Sequence, residues 1–266
     1  ANAAAFFDLD RTLISGASAF PFALEAWRQG LATRGDIVRW TSEAVSFLIA
    51  GDKGDGTSMD LRGEFLNRIK GAAVADLDSI GQAVLPKLVA RVRPESRKLI
   101  SMHHESGRDT WIVSASPQRI VEPLAAALGM TGAIGTEGEV ADGRFTGELE
   151  GPFIYGPGKA QAIEKLASDR GYDLKLSYAY SDSVSDLPMM ETVGHPVAVN
   201  PDSDLDTLAH ERGWPIVIFA RKTKRAFAFS GVVVISLGTA ALAYVLGRKH
   251  GRNTTLASLA KSTLRG

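Results

Sequence analysis

The stretch FFDLDRTL, residues 6–13, lies almost at the start of the chain and puts two carboxylates one residue apart at the end of an apolar run. Alternate side chains of a strand project to the same side, so we expect Asp8 and Asp10 to point together while Leu9 points away. At the carboxyl end of a parallel strand, both would face the crevice where α/β sheets bind ligands. Two carboxylates this close repel, and a hard divalent metal is the natural compensation. The alternative is a strand that leaves the core into a polar turn.

The composition is that of a folded chain without a strong charge bias. Its 266 residues, 45% of them apolar, allow one large domain or a domain with an insertion. Lys plus Arg and Asp plus Glu number 30 each, so no overall field draws the chain to nucleic acid, and we expect no nucleic-acid partner. Cysteine is absent, which excludes disulfides, thiolate catalysis and cysteine-type zinc sites.

The strongest change in composition lies near the C-terminus. Residues 226–246, AFAFSGVVVISLGTAALAYVL, carry no charge over about the 20 residues that span a bilayer. Basic clusters at 221–225 and 247–252 bracket the run. We predict a transmembrane helix over 226–246, followed by a short basic tail at 247–266, with the lipid bilayer as a partner. A buried core helix is the alternative. No signal peptide is recognisable, so we expect a membrane-anchored protein whose N-terminal domain is cytoplasmic.

Upstream of this run, short apolar segments that end in small or polar residues alternate with helical patterns. Five segments predict the strands of a mostly parallel sheet: AAAFFDLD, DTWIVSAS, GAIGTE, LSYAYSDS and HPVAVNP. The interval between the first two is too long for one crossover, which predicts a helical insertion. Residues 138–151, GEVADGRFTGELEG, predict a hairpin with its turn at Asp142 and Gly143. The fold class is therefore α/β.

Further polar residues lie where predicted strands end or helices begin. Asp182 and Asp186 follow the strand YAYS, and carboxylates at a strand end supply the oxygen ligands that Mg²⁺ prefers. Ser114 ends the strand TWIVS, where its hydroxyl and the following N–H groups could hold an anion, although serine is also a common helix starter. Lys159 opens a helix after two glycines, a place that the helix dipole disfavours unless a carboxylate or phosphate pairs with it.

The order D-x-D-x-T, Ser, Lys and D-x-x-x-D resembles the haloacid dehalogenase superfamily over residues 6 to about 200. The long helical interval after the first motif is similar to the phosphoserine-phosphatase-like branch, which carries a small helical cap. The resemblance implies a Rossmann-like parallel sheet flanked by helices. Its core would comprise residues 1–15 and 94–220, and the cap residues 16–93.

The resemblance also implies roles for the motif residues in a Mg²⁺-dependent phosphatase. Asp8 would be the nucleophile that forms an aspartyl-phosphate, and Asp10 would be the general acid and base. Ser114 and Lys159 would bind the substrate phosphate. The implied Mg²⁺ ligands are Asp8, the backbone carbonyl of Asp10, and Asp182. Two further residues would support these groups: Thr12 and Asp186.

Departures from the family pattern bear on the substrate. Ala17 stands where phosphoserine phosphatases usually carry a Glu for the substrate ammonium, and Ser181 and Ser185 replace the usual Gly and Asn. With a membrane anchor and an aromatic-rich cap, we therefore expect an amphiphilic or lipid-linked phosphomonoester. The alternatives are a soluble small-metabolite phosphatase of the phosphoserine type, a phosphotransferase, and a non-catalytic membrane-anchored regulatory protein.

Overall fold

A computed structural model of the protein describes residues 2–30, 63, 66, 67 and 69–219. The chain divides into Ala1–Phe219 and Ala220–Gly266, and every described residue belongs to the first unit. Within the described residues, no helix is long and apolar enough to cross a membrane. The predicted membrane helix at 226–246 and the tail after it lie outside the described residues, as does 31–62 of the predicted cap.

Strands and helices alternate along the described part of the chain. The strands are β1 (Ala4–Asp8), β2 (Asp109–Pro117), β3 (Gly132–Thr136), β4 (Gly138–Ala141), β5 (Arg144–Leu149), β6 (Tyr178–Ser181), β7 (His195–Val199) and β8 (Ile216–Val217). The helices are α1 (Ala19–Arg28), α2 (Val74–Val89), α3 (Pro94–Glu105), α4 (Gln118–Ala127), α5 (Pro157–Arg170), α6 (Leu187–Thr192) and α7 (Ser203–Arg212).

The main sheet is parallel throughout and has the strand order β3-β2-β1-β6-β7-β8. All five segments predicted as strands are confirmed, and β8 adds a short edge strand. The order is that of a doubly wound Rossmann-like sheet, in which the winding direction reverses between β1 and β6. Ligands bind in such folds at the carboxyl ends of the strands beside this reversal. That crevice is where β1 delivers Asp8 and β6 leads into Asp182.

The central strand β1 is covered on both faces. Ala5 and Phe7 belong to one buried apolar cluster, and Ala4 and Phe6 belong to the cluster on the other side. Phe7 stacks on Tyr180 of β6 with ring centroids 4.6 Å apart. Continuous burial on two faces explains why this strand is an unbroken apolar run rather than an alternating one. The burial of β1 also fixes the position of Asp8, the polar residue that ends the strand.

The strand ends earlier than the sequence suggests. β1 stops at Asp8, and Leu9–Leu13 form a single wide turn closed by a 3.0 Å hydrogen bond from the Ile14 N–H to the Leu9 carbonyl. Asp10 therefore lies in the turn. Asp10 has an extended backbone, with a φ of −75° and a ψ of 130°, but it lies beyond the end of β1, so strand alternation is not what places it relative to Asp8.

The insertion leaves and rejoins the core at one point. The Ser15 N–H donates to the Arg91 carbonyl at 2.9 Å, and the Arg93 N–H donates to the Leu13 carbonyl at 3.0 Å. These bonds form a narrow antiparallel neck beside the carboxyl end of β1. The cap limits of 16 and 93 stay a prediction, although the neck lies next to both positions.

Helix α2, within that interval, packs onto the core. Its buried face shares the apolar cluster of Phe7 and of Leu124 on α4. A Cβ on Gly81 would lie 3.1 Å from Ile120 Cδ1, so the two helices approach closely. The buried residues of α2 are Leu77, Ile80, Val84 and Leu88. At least this helix of the predicted cap is therefore tied to the body of the domain.

The predicted hairpin is confirmed. β4 and β5 pair antiparallel, and their turn residues Asp142 and Gly143 have φ of 49° and 73°. Two consecutive positive φ values are the type I′ geometry that suits the twist of a tight hairpin, which explains the Asp-Gly pair. The hairpin also joins the insertion, since the Phe145 N–H donates to the Ala72 carbonyl at 3.0 Å.

Candidate active site

The centre of the site is a buried ion-pair cluster of Asp8, Lys159 and Asp186. Lys159 Nζ donates to Asp8 Oδ1 at 2.7 Å and to Asp186 Oδ2 at 2.8 Å, and all three residues are buried. Burial alone would lower the pKa of Lys159, but the carboxylates of Asp186 and Asp8 outweigh burial and raise it. Burial raises the pKa of Asp8 despite the opposing charge of Lys159. The lysine is thus held charged beside the predicted nucleophile.

The sequence around Lys159 explains how it reaches this position. It lies in the first turn of α5, after Gly156 with a φ of 51°. A Cβ on Gly158 would lie 1.9 Å from the carbonyl oxygen of Phe153, so only glycine fits there. The two glycines thus let the chain fold back tightly before the helix begins. The unfavourable dipole position of the lysine is offset by its two carboxylates.

Asp182 lies on the other side of Asp8, directly after β6. Thr12 Oγ1 donates to Asp182 Oδ1 at 3.3 Å, which is a long hydrogen bond. Arg11 Nε lies 2.8 Å from Asp182 Oδ2, yet this buried oxygen has no aligned hydrogen-bond donor. The contact is therefore an ion pair without hydrogen-bond geometry. Burial, and next the charge of Asp8, raises the pKa of Asp182.

Asp10 is held by a residue that the sequence analysis did not single out. Ser18 donates to Asp10 twice, from its N–H to Oδ1 at 2.7 Å and from its hydroxyl to Oδ2 at 3.1 Å. Ser18 Oγ also lies 3.1 Å from Ser116 Oγ. Burial raises the pKa of Asp10, although the bonds from Ser18 oppose this. No local pattern reveals Ser18, because its contact depends on the shape of the wide turn.

Ser114 lies on β2, next to β1. Asp8 is in register with Val113, so Ser114 is one residue beyond Asp8 on the neighbouring strand, and it is buried. Its hydroxyl oxygen accepts the Ser116 N–H at 3.1 Å. Ser114 therefore lies level with the end of β1, but β2 continues to Pro117, so the prediction that Ser114 ends its strand was wrong. One of the N–H groups predicted to hold an anion already has a partner.

Two more residues, to which the sequence analysis gave no role in the site, shape the acidic loop at 182–186. The Ser181 hydroxyl donates to Asp186 Oδ2 at 2.6 Å. The Asp202 N–H donates to the Asp182 carbonyl at 2.8 Å, and Asp202 Oδ2 accepts the Val184 N–H at 3.1 Å. Asp202 was detectable as a helix start, because it follows Asn-Pro and caps α7, but not as a neighbour of Asp182.

The residues of the site fit a divalent cation. It contains four carboxyl groups and two cationic side chains, Lys159 and Arg11, so the acids outnumber the cations by two: Asp8, Asp10, Asp182 and Asp186. In the part of the chain that the structure describes, no group of three or more His, Cys, Asp or Glu side chains has a metal-site arrangement. Mg²⁺, however, usually takes one or two carboxylates. The buried Oδ2 of Asp182 accepts no hydrogen bond, so its lone pairs are available to a cation.

The chain is similar to known hydrolases and phosphatases. A sequence profile of the haloacid dehalogenase-like hydrolases matches residues 5–191. A probable phosphatase of Mycobacterium tuberculosis is 41% identical over 262 residues, covering 94% of this chain and 90% of its own. Phosphoserine phosphatase SerB1 of the same species is 38% identical over 254 residues, covering 94% and 82%. A solved structure of a protein of unknown function from Bordetella pertussis Tohama I has a TM-score of 0.70 and 27% identity, covering 81% of this chain and 98% of that one.

Proposed function

This chain belongs to the haloacid dehalogenase-like hydrolases and is a phosphatase, and we propose that it hydrolyses phosphomonoesters in two displacements with Asp8 as the nucleophile. The observation that carries the proposal is the buried contact of Lys159 with Asp8 at 2.7 Å. A fixed cation beside the attacking oxygen reduces the repulsion between a carboxylate and a phosphate group. Lys159 is fixed in this position, because its ammonium group also donates to Asp186.

In the first displacement, Asp8 attacks phosphorus and its new bond to phosphorus forms as the ester bond to the alcohol breaks. Asp10 gives its proton to the departing oxygen. In the second, Asp10 takes a proton from the water that attacks phosphorus, which releases inorganic phosphate and restores the Asp8 carboxylate. A carboxyl whose pKa is raised by burial, as that of Asp10 is, carries a proton closer to neutral pH and suits this role.

We propose Mg²⁺ as the cofactor. Asp8, the backbone carbonyl of Asp10 and Asp182 would hold it, and it would neutralise charge on the phosphoryl oxygens. Lys159 and Ser114 would contact those oxygens from the protein side. Two residues keep these groups in place: Thr12, which donates to Asp182, and Asp186, which accepts from Lys159.

Two substrate classes have support. The 38% identity to phosphoserine phosphatase SerB1 favours a small soluble phosphomonoester. Ala17, where the phosphoserine enzymes usually carry Glu, argues against phosphoserine itself. An amphiphilic or lipid-linked phosphate is favoured by the apolar segment 226–246 and by two aromatic side chains of α1 that are partly exposed: Phe20 at 49% and Trp27 at 41%. We take the small soluble class as the first candidate.

The localisation is part of the proposal. We infer that residues 226–246 anchor the protein in a membrane with the catalytic domain in the cytoplasm. The alignment to SerB1 spans 94% of the 266 residues, so at most about 17 residues fall outside it and the apolar segment lies within the aligned part.

A substrate screen tests the function. Phosphate release is measured with and without Mg²⁺ on small phosphomonoesters and on lysophosphatidate-type lipids in vesicles. The proteins are the wild type, Asp8→Asn, and Asp78→Asn as a control at an exposed surface ion pair. We expect Mg²⁺-dependent release from the wild type and the control, and a loss of at least about a thousandfold in Asp8→Asn. Equal release from all three proteins would exclude Asp8 as the nucleophile.

A further inference from the structure

Arg11 is a charged residue of the site that has no role in the two proposed displacements. It directly follows Asp10 in the wide turn and has a φ of 63°, in the left-handed region that costs a non-glycine residue free energy. Its N–H donates to the Gly16 carbonyl at 3.1 Å, which fixes this conformation. Its side chain turns to Asp182, with Nε 2.8 Å from Oδ2. A strained backbone thus directs a guanidinium to one predicted metal ligand.

The Arg11 contact is looser than the Lys159 contact. Lys159 has a side chain only 4% exposed and makes aligned hydrogen bonds to Asp8 and Asp186. The Arg11 side chain is 31% exposed, and Asp182 Oδ2 has no aligned donor although the guanidinium lies at ion-pair distance. The lone pairs of that buried oxygen are therefore not committed. Lys159 is thus fixed by hydrogen bonds, whereas the Arg11 side chain is held only by an ion pair.

We propose that Arg11 is a resident counter-cation, which neutralises Asp182 in the metal-free protein and is displaced from it when a divalent cation binds the same carboxylate. This rests on the proposed Mg²⁺ site. A guanidinium and a divalent cation at one oxygen repel each other, so the two compete for Asp182. Arg11 thereby keeps the empty site from carrying an unpaired buried charge and, as a consequence, lowers its affinity for the metal.

The size of the effect follows from the looseness of the pair. A partly exposed ion pair without hydrogen-bond alignment stabilises by an amount equivalent to about a fivefold change in an equilibrium constant. Removal of the guanidinium charge should therefore lower the dissociation constant for Mg²⁺ about fivefold. Replacement of Arg11 by another cationic residue should leave the dissociation constant for Mg²⁺ close to the wild-type value, because the competition depends on charge.

Calorimetric titration of MgCl₂ into the metal-free full chain, in detergent and at pH 8.5, measures this directly without any turnover. The variants are Arg11→Gln, which removes the charge with an unbranched side chain of similar backbone cost, and Arg11→Lys, which keeps it. Arg11→Gly suits the positive φ and serves as a second neutral variant if the glutamine variant folds poorly. Arg212→Gln is the matched control, because Arg212 pairs with Glu191 on the surface.

We expect Arg11→Gln and Arg11→Gly to bind Mg²⁺ about fivefold more tightly than the wild type, with Arg11→Lys and Arg212→Gln within about twofold of it. If the two neutral variants bind with wild-type or weaker affinity, the counter-cation role is wrong and the Mg²⁺ site stands. If neither the wild type nor any variant binds Mg²⁺, the proposed metal site is wrong and the inference falls with it.

Discussion

At the scale of single residues, the site depends on one lysine shared by two acids. Lys159 is buried between Asp8 and Asp186, so neither carboxylate faces the interior without a partner. A buried pair of this kind adds little stability compared with an apolar packing, but removing one member leaves an uncompensated charge. The arrangement thus favours position and charge at Asp8 over stability.

Lys159→Gln is expected to destabilise the metal-free protein by about 3–5 kcal/mol, because two buried carboxylates lose their cation. Lys165, on the same helix, offers a matched control, since it pairs with Asp169 at 2.7 Å with both side chains largely exposed. Lys165→Gln should cost no more than about 0.5 kcal/mol. Urea unfolding with a metal chelator present measures both changes. Similar costs for the two variants would contradict a buried charge cluster.

The sequence predicted the identity of the site residues better than it predicted their hydrogen-bond partners. Asp8, Asp182, Asp186 and Lys159 were identifiable because each lies at a strand or helix end. Ser18, which binds both oxygens of Asp10, was not identifiable from the sequence. Its contact is set by the wide turn after β1, and turn shape depends on contacts that a linear pattern does not contain.

At the scale of elements, helix α3 and strand β6 are joined by a buried histidine. Arg108 Nε donates to His103 Nδ1 at 2.7 Å, so the ring proton is on Nε2, which lies 2.8 Å from the Tyr180 hydroxyl. Burial, together with the charge of Arg108, lowers the pKa of His103 to about 4. Tyr180 in turn stacks on Phe7, directly before Asp8. The neutral histidine thus supports the strands that carry the acids.

This histidine should make the fold sensitive to acid. An unfolded histidine titrates near pH 6.5, so between about pH 6.5 and 4 the unfolded chain binds a proton that the folded chain does not, and stability falls as pH decreases. We expect His103 to account for about 1–2 kcal/mol of that loss, and His103→Gln to reduce the slope. His210, an exposed residue of α7, provides the control His210→Gln. Unfolding measured across this range with unchanged slope in His103→Gln would contradict the assignment.

Helix α7 positions the acidic loop through its first residue. Asp202 caps the helix by accepting the Leu205 N–H at 2.8 Å and holds the loop by accepting the Val184 N–H at 3.1 Å. One carboxylate thereby connects a helix start to the turn between Asp182 and Asp186. The bond to Leu205 is a common helix cap, whereas the bond to Val184 links α7 to the site.

Asp202→Asn keeps one carbonyl acceptor and loses the other, so we expect kcat to fall about tenfold as the loop loosens. Asp173→Asn is a matched control, because Asp173 caps a short turn by accepting the Lys175 N–H at 2.9 Å. Neither variant should lose more than about 0.5 kcal/mol of stability through its cap, because Asn caps helices about as well as Asp. Steady-state kinetics at saturating Mg²⁺ separates them, and equal kcat values would show that Asp202 acts on stability alone.

At the scale of the whole molecule, the alternation of apolar runs and helical patterns was enough to predict a parallel α/β sheet. Five strands of the main sheet were predicted because each is a short run of mostly apolar or small residues. β8 was not, because a strand of two residues, Ile216–Val217, carries no pattern of its own. The strand order was accessible only through the family resemblance, since it depends on which connections cross the sheet. The cap limits and the membrane helix stay predictions.

The proposed membrane anchor at 226–246 has a direct test in the full chain. We expect the protein to stay in the membrane pellet after alkaline carbonate extraction. Ile235 lies near the middle of 226–246, and a charge there costs about 2.5–3.5 kcal/mol of insertion free energy, so Ile235→Arg should shift a large part of the protein to the supernatant. Ile235→Leu should behave like the wild type. Wild-type protein found in the supernatant would show that the segment does not anchor the chain.

The central claim is that Asp8 carries the phosphoryl group during turnover. The most direct measurement is to quench the enzyme during steady-state hydrolysis with Mg²⁺ present, reduce acyl phosphates with borohydride, and analyse the peptides by mass spectrometry. We predict that the side chain of Asp8 is converted from a carboxyl group to an alcohol, giving homoserine, and that Asp10, Asp182 and Asp186 are unchanged. Rapid turnover with an unmodified Asp8 and a modified second aspartate would contradict the account.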